Sequence, residues 1–249
     1  MGRPARSATA SLLVQVSDVN DNVPEFSVAE YQVEVLETES VGTSLLTLSA
    51  VDPDEGANGR IRYSLRGGEG RFDIDPVSGM VSVAAALDRE TKAEYNLLVV
   101  AEDQGRPARS ATASLLVQVS DVNDNVPEFS AAEYQVEVLE TESVGTSLLT
   151  LSAVDPDEGA NGRVSYSILQ QSPSSDPAVF ELDSSSGTLQ LAQPLDYSEV
   201  KMYSLMVQAS DAGTPSLVRN DDMIPHVALT VWTSAPLCYN HSVIYYIKM

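Results

Sequence analysis

Cysteine is almost missing from this chain: Cys238 is the single thiol in 249 residues, so no disulfide can close within it. Histidine is nearly as scarce. With His226, His241 and Cys238 as the whole supply of nitrogen and sulfur ligands, a zinc or copper centre lacks material. Basic residues number 14 against 36 acidic ones, a net charge of -22, which repels nucleic acid and anionic lipid and attracts cations. No apolar run reaches the roughly 18 residues that a membrane-spanning helix needs. What is present argues against a disordered acidic tail: 43% of the residues are hydrophobic, and the acids recur in short spaced clusters rather than in one block. The start, MGRPARSATASLLVQV, has basic residues before an apolar stretch and by itself would pass for a weak signal peptide.

A repeat removes that reading. Residues 2–60 match residues 105–163 at 58 of 59 positions, Val28 against Ala131 being the exception, so the supposed leader is copied in mid-chain at a period of 103 residues. Met1 is therefore expected to be the arbitrary start of a fragment. Beyond Arg60 and Arg163 the copies diverge but still align, as LDRETKAEYNLLVVAEDQG with LDYSEVKMYSLMVQASDAG. A period near 100 residues is too long for a solenoid unit and suits an independent domain with its own core.

Within one period the apolar residues alternate in short runs. They are Tyr31, Val33 and Val35; Leu46, Leu48 and Ala50; Ile61, Tyr63 and Leu65; Phe72 and Ile74; Val81 and Val83; Tyr95 to Ala101; and Ala113 to Val119. Seven such runs, separated by turn sequences such as Asp75-Pro76-Val77-Ser78-Gly79, predict an antiparallel β-sandwich rather than helices. At most a turn of helix fits at 83–87. The expected fold class is all-β, two tandem seven-stranded Greek-key sandwiches of immunoglobulin-like architecture.

The acids gather at the ends of these runs, where side chains cannot reach the core. Asp18-Val19-Asn20-Asp21-Asn22 recurs as Asp121-Val122-Asn123-Asp124-Asn125. Asp52-Pro53-Asp54 recurs as Asp155-Pro156-Asp157 at the same 34-residue separation, each followed by Gly-Ala-Asn-Gly, which includes Asn58 and Asn161. Glu37, Asp88, Glu90, Asp103 and Asp211 complete the set. Alone, either cluster reads as a polar turn. Paired and repeated, they read as the six to eight oxygens that calcium takes, whereas magnesium keeps its water and few protein ligands. An EF-hand is excluded because Val23 stands at the glycine position and Ala29 at the glutamate position of its loop.

In that order the motifs resemble cadherin repeats over almost everything up to about residue 232: Asp-Val-Asn-Asp-Asn-Val-Pro-Glu-Phe, Asp-Pro-Asp-Glu-Gly-Ala-Asn-Gly, Leu-Asp-Arg-Glu, and Ala-Glu-Asp-Gln-Gly or Ala-Ser-Asp-Ala-Gly. The resemblance implies three Ca2+ ions between successive repeats. Carried over residue by residue, one complete set would use Glu37, Asp88 and Glu90, then Asp121, Asn123 and Asp124, with Val122 and Asn125 through backbone carbonyls. Asp155, Asp157 and Asp211, plus the Asn161 carbonyl, would finish it. A second, incomplete set would comprise Asp18, Asn20, Asp21, Asn22, Asp52, Asp54, Asn58 and Asp103. Ser198 replaces the acid found at Glu90, so no third site is expected, and Glu140 and Asp196 should be plain surface acids.

The organisation this implies is the last strand of a preceding repeat at 1–17, a linker at 18–22 and a repeat at 23–120. A second linker at 121–125, a second repeat at 126–235 and an atypical tail at 236–249 follow. Asn240-His241-Ser242 in that tail is a glycosylation acceptor pattern, Cys238 marks a sequence foreign to the repeat, and Trp232 is expected in a strand or the core. No tryptophan lies in residues 1–30, so a tryptophan-anchored strand swap is not expected. By resemblance the function is calcium-dependent cell-cell adhesion on the extracellular side of the plasma membrane, through homophilic or heterophilic contact with cadherin repeats on an apposed cell. Spacer repeats or a secreted calcium-binding fragment are the alternatives. The style of the motifs leans toward protocadherins or the Fat and Dachsous proteins. Asp88 with Glu90, or Asp155 with Asp157, could imitate a glycosidase pair, but no pocket-forming insertion accompanies them and no catalysis is expected.

Overall fold

The structure is a computed structural model that describes residues 2–3, 5–218 and 225–232. Cys238, Asn240, His241, Ser242 and the tail at 236–249 lie outside the described residues. The chain divides into two units, Met1–Ser120 and Asp121–Met249.

In the first unit the strands are β1 (Glu25–Phe26), β2 (Glu30–Leu36), β3 (Ser44–Thr47), β4 (Ala50–Val51), β5 (Arg62–Gly67), β6 (Phe72–Ile74), β7 (Met80–Val83), β8 (Glu94–Glu102) and β9 (Ser110–Ser120). They are the seven alternating runs of the sequence, the second of them interrupted after Thr47, with a short extra strand β1 ahead of the first. The two short strands, β1 and β4, pair with one another, Glu25 opposite Val51 and Phe26 opposite Ala50. A four-stranded sheet in the order β2-β9-β8-β5 and a three-stranded sheet β3-β7-β6 carry the rest. All pairs are antiparallel except β2 with β9. The helical turn allowed at 83–87 is absent. A short 3-10 turn occupies Gly68–Gly70 instead, where four residues with positive φ at 67–70 reverse the chain.

Alternation places Tyr95, Leu97, Val99 and Ala101 of β8 and Leu115, Val117 and Val119 of β9 in one core with Leu48, Val81 and Val83. Burying each large aliphatic side chain contributes about 1.5–3 kcal/mol. Phe72 and Tyr95 meet edge to face at 5.1 Å. Where β3 gives way to β4, the Tyr63 hydroxyl accepts the Ala50 N–H at 2.9 Å, which holds the broken strand to the core. The turn after β6 is fixed by Asp75, whose Oδ1 accepts the N–H of Val77 and of Ser78. It closes at Gly79 with φ +73, where a Cβ would sit 2.3 Å from the Leu48 carbonyl oxygen.

The second unit repeats this plan with β10 (Glu128–Phe129), β11 (Glu133–Leu139), β12 (Ser147–Thr150), β13 (Ala153–Val154), β14 (Ser165–Ser172), β15 (Phe180–Leu182), β16 (Thr188–Leu191), β17 (Met202–Ser210) and β18 (His226–Trp232). Its sheets are β11-β18-β17-β14, β12-β16-β15 and β10-β13. One difference is a register shift between Ile168 and Gln170 of β14. Trp232 ends β18 and is 38% exposed, so it is a strand residue and not a core one.

Candidate metal centre

In each unit the parallel pair β2 with β9, or β11 with β18, collects chain segments at two opposite ends of the sandwich. At one end of the first unit, β4 stops just before Asp52, β8 stops just before Asp103, and residues 18–22 lead into β1. Asp103 is 3% exposed and its carboxylate accepts the Asn20 Nδ2, the Gly105 N–H and the Arg109 N–H at 2.8–3.2 Å. Asn20 Nδ2 also donates to the Pro107 carbonyl at 2.7 Å. Asp18 Oδ2 accepts the Glu55 N–H and Asn58 Nδ2 at 3.1 and 2.9 Å. Asp54 receives both the backbone N–H and the side-chain amide of Asn22, and these bonds to Asn22 hold its pKa below the usual carboxylate value.

The second unit builds the same constellation from the copied sequence. Asp211, 3% exposed, accepts from Asn123 Nδ2, Gly213 N–H and Leu217 N–H at 3.2, 2.9 and 2.9 Å. Asn123 Nδ2 reaches the Pro215 carbonyl at 2.6 Å. Asp121 Oδ2 accepts the Glu158 N–H and Asn161 Nδ2, and Asp157 accepts from both nitrogens of Asn125. Asp124 Oδ1 accepts the Asn125 amide at 2.8 Å. Burial pushes the Asp155 carboxyl upward, and the neighbouring charges of Asp157, Asp211 and Asp121 push it the same way. Four acids whose charges oppose one another in one unit form a site short of positive charge.

Whether a hard cation fits can be read from the oxygens themselves. Asn20 Oδ1 and Asp52 Oδ2 in the first unit, and Asn123 Oδ1 and Asp155 Oδ2 in the second, are buried and accept no hydrogen bond. Buried acceptors without a partner are uncommon and cost about 1–3 kcal/mol each. Here the same two recur at equivalent positions. In each pair the amide nitrogen of the asparagine is bonded to a carboxylate and a carbonyl, so the oxygen is the atom left without a partner. The donors are all oxygen, as calcium or magnesium requires. The residues fit the ion.

The other end of the first unit holds Glu37, Asp88 and Glu90. Glu37 follows β2 and is 6% exposed, its N–H bonds the Ser120 carbonyl at the end of β9, and its Oε2 accepts the Arg89 N–H at 2.9 Å. Asp88 caps its turn by accepting the N–H and hydroxyl of Thr91, which lowers its pKa. Glu90 pairs with Arg89 at 2.6 Å, yet burial and the Glu37 carboxylate raise its pKa. The second unit keeps part of this geometry. Glu140 Oε2 accepts the Tyr197 N–H at 3.0 Å and is half-buried, while Asp196 is an exposed acid that caps Ser198 in its own turn. Asp21 and Asn22 stay exposed, and Val122 is half-buried.

Sequence reasoning passed over the glycines. A Cβ on Gly105 would lie 2.2 Å from Asn20 Nδ2, and one on Gly213 would lie 2.4 Å from Asn123 Nδ2. Gly59 and Gly162 leave no room either, since a Cβ would come within 2.0 Å of the Asp54 or Asp157 carbonyl oxygen. The signal was the fixed spacing of Asp103 to Gly105 and Asp211 to Gly213 in otherwise different sequences.

The Cadherin domain family model matches residues 31–120 and 134–221. The chain belongs to the cadherin family. Among its relatives is Cadherin EGF LAG seven-pass G-type receptor 1 of Mus musculus, 41% identical over 239 residues. Protocadherin-16 of Homo sapiens is 44% identical over 216 residues, and Protocadherin Fat 4 of Mus musculus 43% over 208. These alignments cover 95%, 87% and 82% of this chain but 8%, 6% and 4% of the relatives, so this cadherin segment spans under a tenth of their length. Among solved structures, mouse Cadherin-23 EC22-24 superposes with a TM-score of 0.80 at 36% identity, covering 87% of this chain and 66% of that one. The Protocadherin GammaB4 extracellular domain gives a TM-score of 0.77 at 34% identity over 86% of this chain and 34% of that one. No helix among the described residues of this cadherin segment is long and apolar enough to cross a membrane.

Proposed function

We propose that this chain is a calcium-binding adhesion segment: two cadherin repeats, at 23–120 and 126–235, whose acidic ends bind Ca2+ and thereby stiffen the linkers at 18–22 and 121–125. The observation that carries the reading is the pair of buried, unpartnered oxygens, Asn123 Oδ1 with Asp155 Oδ2, duplicated as Asn20 Oδ1 with Asp52 Oδ2. Asp121, Asp124, Asp157, Asp211 and the carbonyls of Val122, Asn125 and Asn161 belong to the same ligand set, with Glu37, Asp88 and Glu90 added as the family pattern implies. Asp18, Asp21, Asn22, Asp54, Asn58 and Asp103 form the partial set. The ion supplies charge neutralisation and fixed coordination where carboxylates otherwise repel.

The partner is another set of cadherin repeats on an apposed cell, and the working place is the extracellular side of the plasma membrane. Relatives named as a seven-pass receptor and as protocadherins support this. Calorimetric titration of the metal-stripped chain tests the first step. Saturable binding at about 10⁻⁴–10⁻³ M is expected, with a melting temperature that rises with calcium. The gain is about 2.7 kcal/mol per site at hundred-fold excess over Kd. No heat of binding, together with melting curves that EGTA leaves unchanged, would sink the reading. Beads coated with the chain should cluster in millimolar calcium; calcium binding without clustering would assign a spacer role.

A further inference from the structure

We propose that Asn58-Gly59 and Asn161-Gly162 are sites of spontaneous deamidation, each held back by the carboxylate that accepts its side-chain amide. The sequence supplies the reactants: asparagine is followed by glycine at these two places alone. A glycine there offers a backbone nitrogen with no side chain to block its approach to the preceding carboxamide. The fold can spare neither residue. A Cβ on Gly59 or Gly162 would come within 2.0 Å of the Asp54 or Asp157 carbonyl oxygen, which is backbone and cannot swing aside. Neither glycine has a positive φ, so close approach rather than conformation requires them. Asn58 Nδ2 donates to Asp18 Oδ2 at 2.9 Å, and Asn161 Nδ2 to Asp121 Oδ2 at 2.8 Å. In the same turns Asn58 and Arg60 donate their N–H groups to the Glu55 and Ala57 carbonyls, as Asn161 and Arg163 do to Glu158 and Ala160. Between them, the N–H groups of Gly59 and Gly162 donate no hydrogen bond among the described residues.

In the reaction the Gly162 nitrogen bonds to Asn161 Cγ, the Cγ–Nδ2 bond breaks, and Nδ2 leaves as ammonia with the proton that the Gly162 nitrogen gives up. Water then opens the cyclic imide at either carbonyl, giving aspartate, or isoaspartate with an extra carbon in the main chain. The bond to Asp121 opposes this twice. It fixes the carboxamide, and an anion accepting from Nδ2 makes that nitrogen a poorer leaving group. Neither product fits the turn. A carboxylate oxygen would stand where Nδ2 stands, 2.8 Å from Asp121 Oδ2, anion against anion. Isoaspartate also lengthens the chain beside Gly162, where the Asp157 carbonyl leaves no room for one carbon. The two sites share their sequence, since residues 51–60 equal 154–163 and residues 18–22 equal 121–125. They differ in how the carboxylate is held. Asp18 is exposed and the described residues before β1 form no strand, whereas Asp121 is half-buried and directly follows β9. Asn58 is therefore converted first.

Peptide mapping by mass spectrometry tests this, on the full chain incubated at body temperature in mildly alkaline, calcium-free buffer. The assay needs no calcium, so its outcome is separate from that of the calcium reading. Conversion is expected at both asparagines, faster at Asn58, with the two rates becoming equal in urea. Asp121→Ala should speed conversion at Asn161 about tenfold, the low end for losing one hydrogen bond to a charged group. Asn58 in the same chain is the reference and should not change. Circular dichroism checks that the variant folds; if it does not, Asp18→Ala gives the same comparison at Asn58, with Asn161 as the reference. The proposal is overturned if both asparagines stay intact while the urea-unfolded chain converts, or if Asn161 reacts as fast as Asn58 in the folded chain. It is equally overturned if removing the carboxylate leaves the rate unchanged or lowers it, which would make that group a bystander or a base.

Discussion

Replacing Asn123 by aspartate puts a carboxylate, ordinarily the stronger calcium ligand, where an amide now stands, and the structure says that it should bind calcium worse. The reason lies in the nitrogen. Asn123 Nδ2 donates to the Pro215 carbonyl at 2.6 Å and to Asp211 Oδ2 at 3.2 Å, and those two bonds fix the amide and leave its buried Oδ1 unpartnered. In Asn123→Asp the nitrogen becomes an oxygen without a proton and faces two acceptors at the same distances. One lost hydrogen bond goes to a charged group, worth about 1.5–3 kcal/mol, and one to a carbonyl, worth about 0.5–1.5 kcal/mol. Because the site is partly open to water, the low end of the sum, about 2 kcal/mol, is the relevant figure. Expressed through calcium affinity, that is a loss of roughly thirtyfold; the repulsion from Asp211 that the new carboxylate adds falls on the ion-free fold, whose stability it lowers. Calorimetric titration with calcium, run beside the wild-type chain, measures it. Asn20→Asp, which breaks the equivalent bonds to Pro107 and Asp103, should weaken the first unit's site in the same way. If Asn123→Asp binds calcium as tightly as the wild type or tighter, the amide does not have the orienting role assigned to it.

Asp157→Ala should reduce calcium binding far more than Glu142→Ala, because Glu142 lies outside the constellation; equal heats from the two would refute the ligand assignment. Gly213→Ala should lower both the melting temperature and calcium affinity, since its Cβ would be 2.6 Å from Asn123 Cγ and 2.7 Å from Asn161 Oδ1. Gly2→Ala, which meets nothing within 4 Å, should change neither. Leu205→Ala removes a side chain with no exposed surface and should cost about 2–5 kcal/mol in urea unfolding measured in calcium. Asp183 Oδ1 accepts the N–H of Ser186 and both the hydroxyl and the N–H of Ser185, which brings its pKa from 3.8 down to about 2. A depressed folded-state pKa means that its stabilisation is complete above about pH 4 and fades as pH falls through about 2. The melting difference between wild type and Asp183→Ala should therefore be present at pH 6 and shrink at pH 2.

Most of the sandwich was legible because half-buried strands write their burial into the sequence with a period of two. Leu97, Val99 and Ala101 are in the core, and the residues between them stay on the opposite face. The break in the second run was not legible. Leu46, Leu48 and Ala50 alternate as an unbroken strand would, yet the strand stops at Thr47 and resumes at Ala50, whose N–H is held by the hydroxyl of Tyr63 from another strand. Nor could composition say which acids are buried. Glu37 and Glu140 sit in identical sequence and receive the same bond from different partners, Arg89 and Tyr197. The sharpest limit comes from the duplication itself. Residues 7–17 and Ser110–Ser120 are the same eleven residues, and the second copy is β9, between β2 and β8, with Leu115 1% exposed. In the first copy the corresponding Leu12 is 88% exposed and no strand forms. Propensity and pattern are equal in the two, so the difference must come from what they can pair with. A period-two pattern specifies which face a segment will bury once neighbouring strands accept its backbone; it supplies neither the neighbours nor the hydrogen bonds. The acidic ends follow the same logic: the duplicated Asp-Val-Asn-Asp-Asn becomes a site only where Asp103 or Asp211, brought in by another strand, holds the asparagine nitrogen.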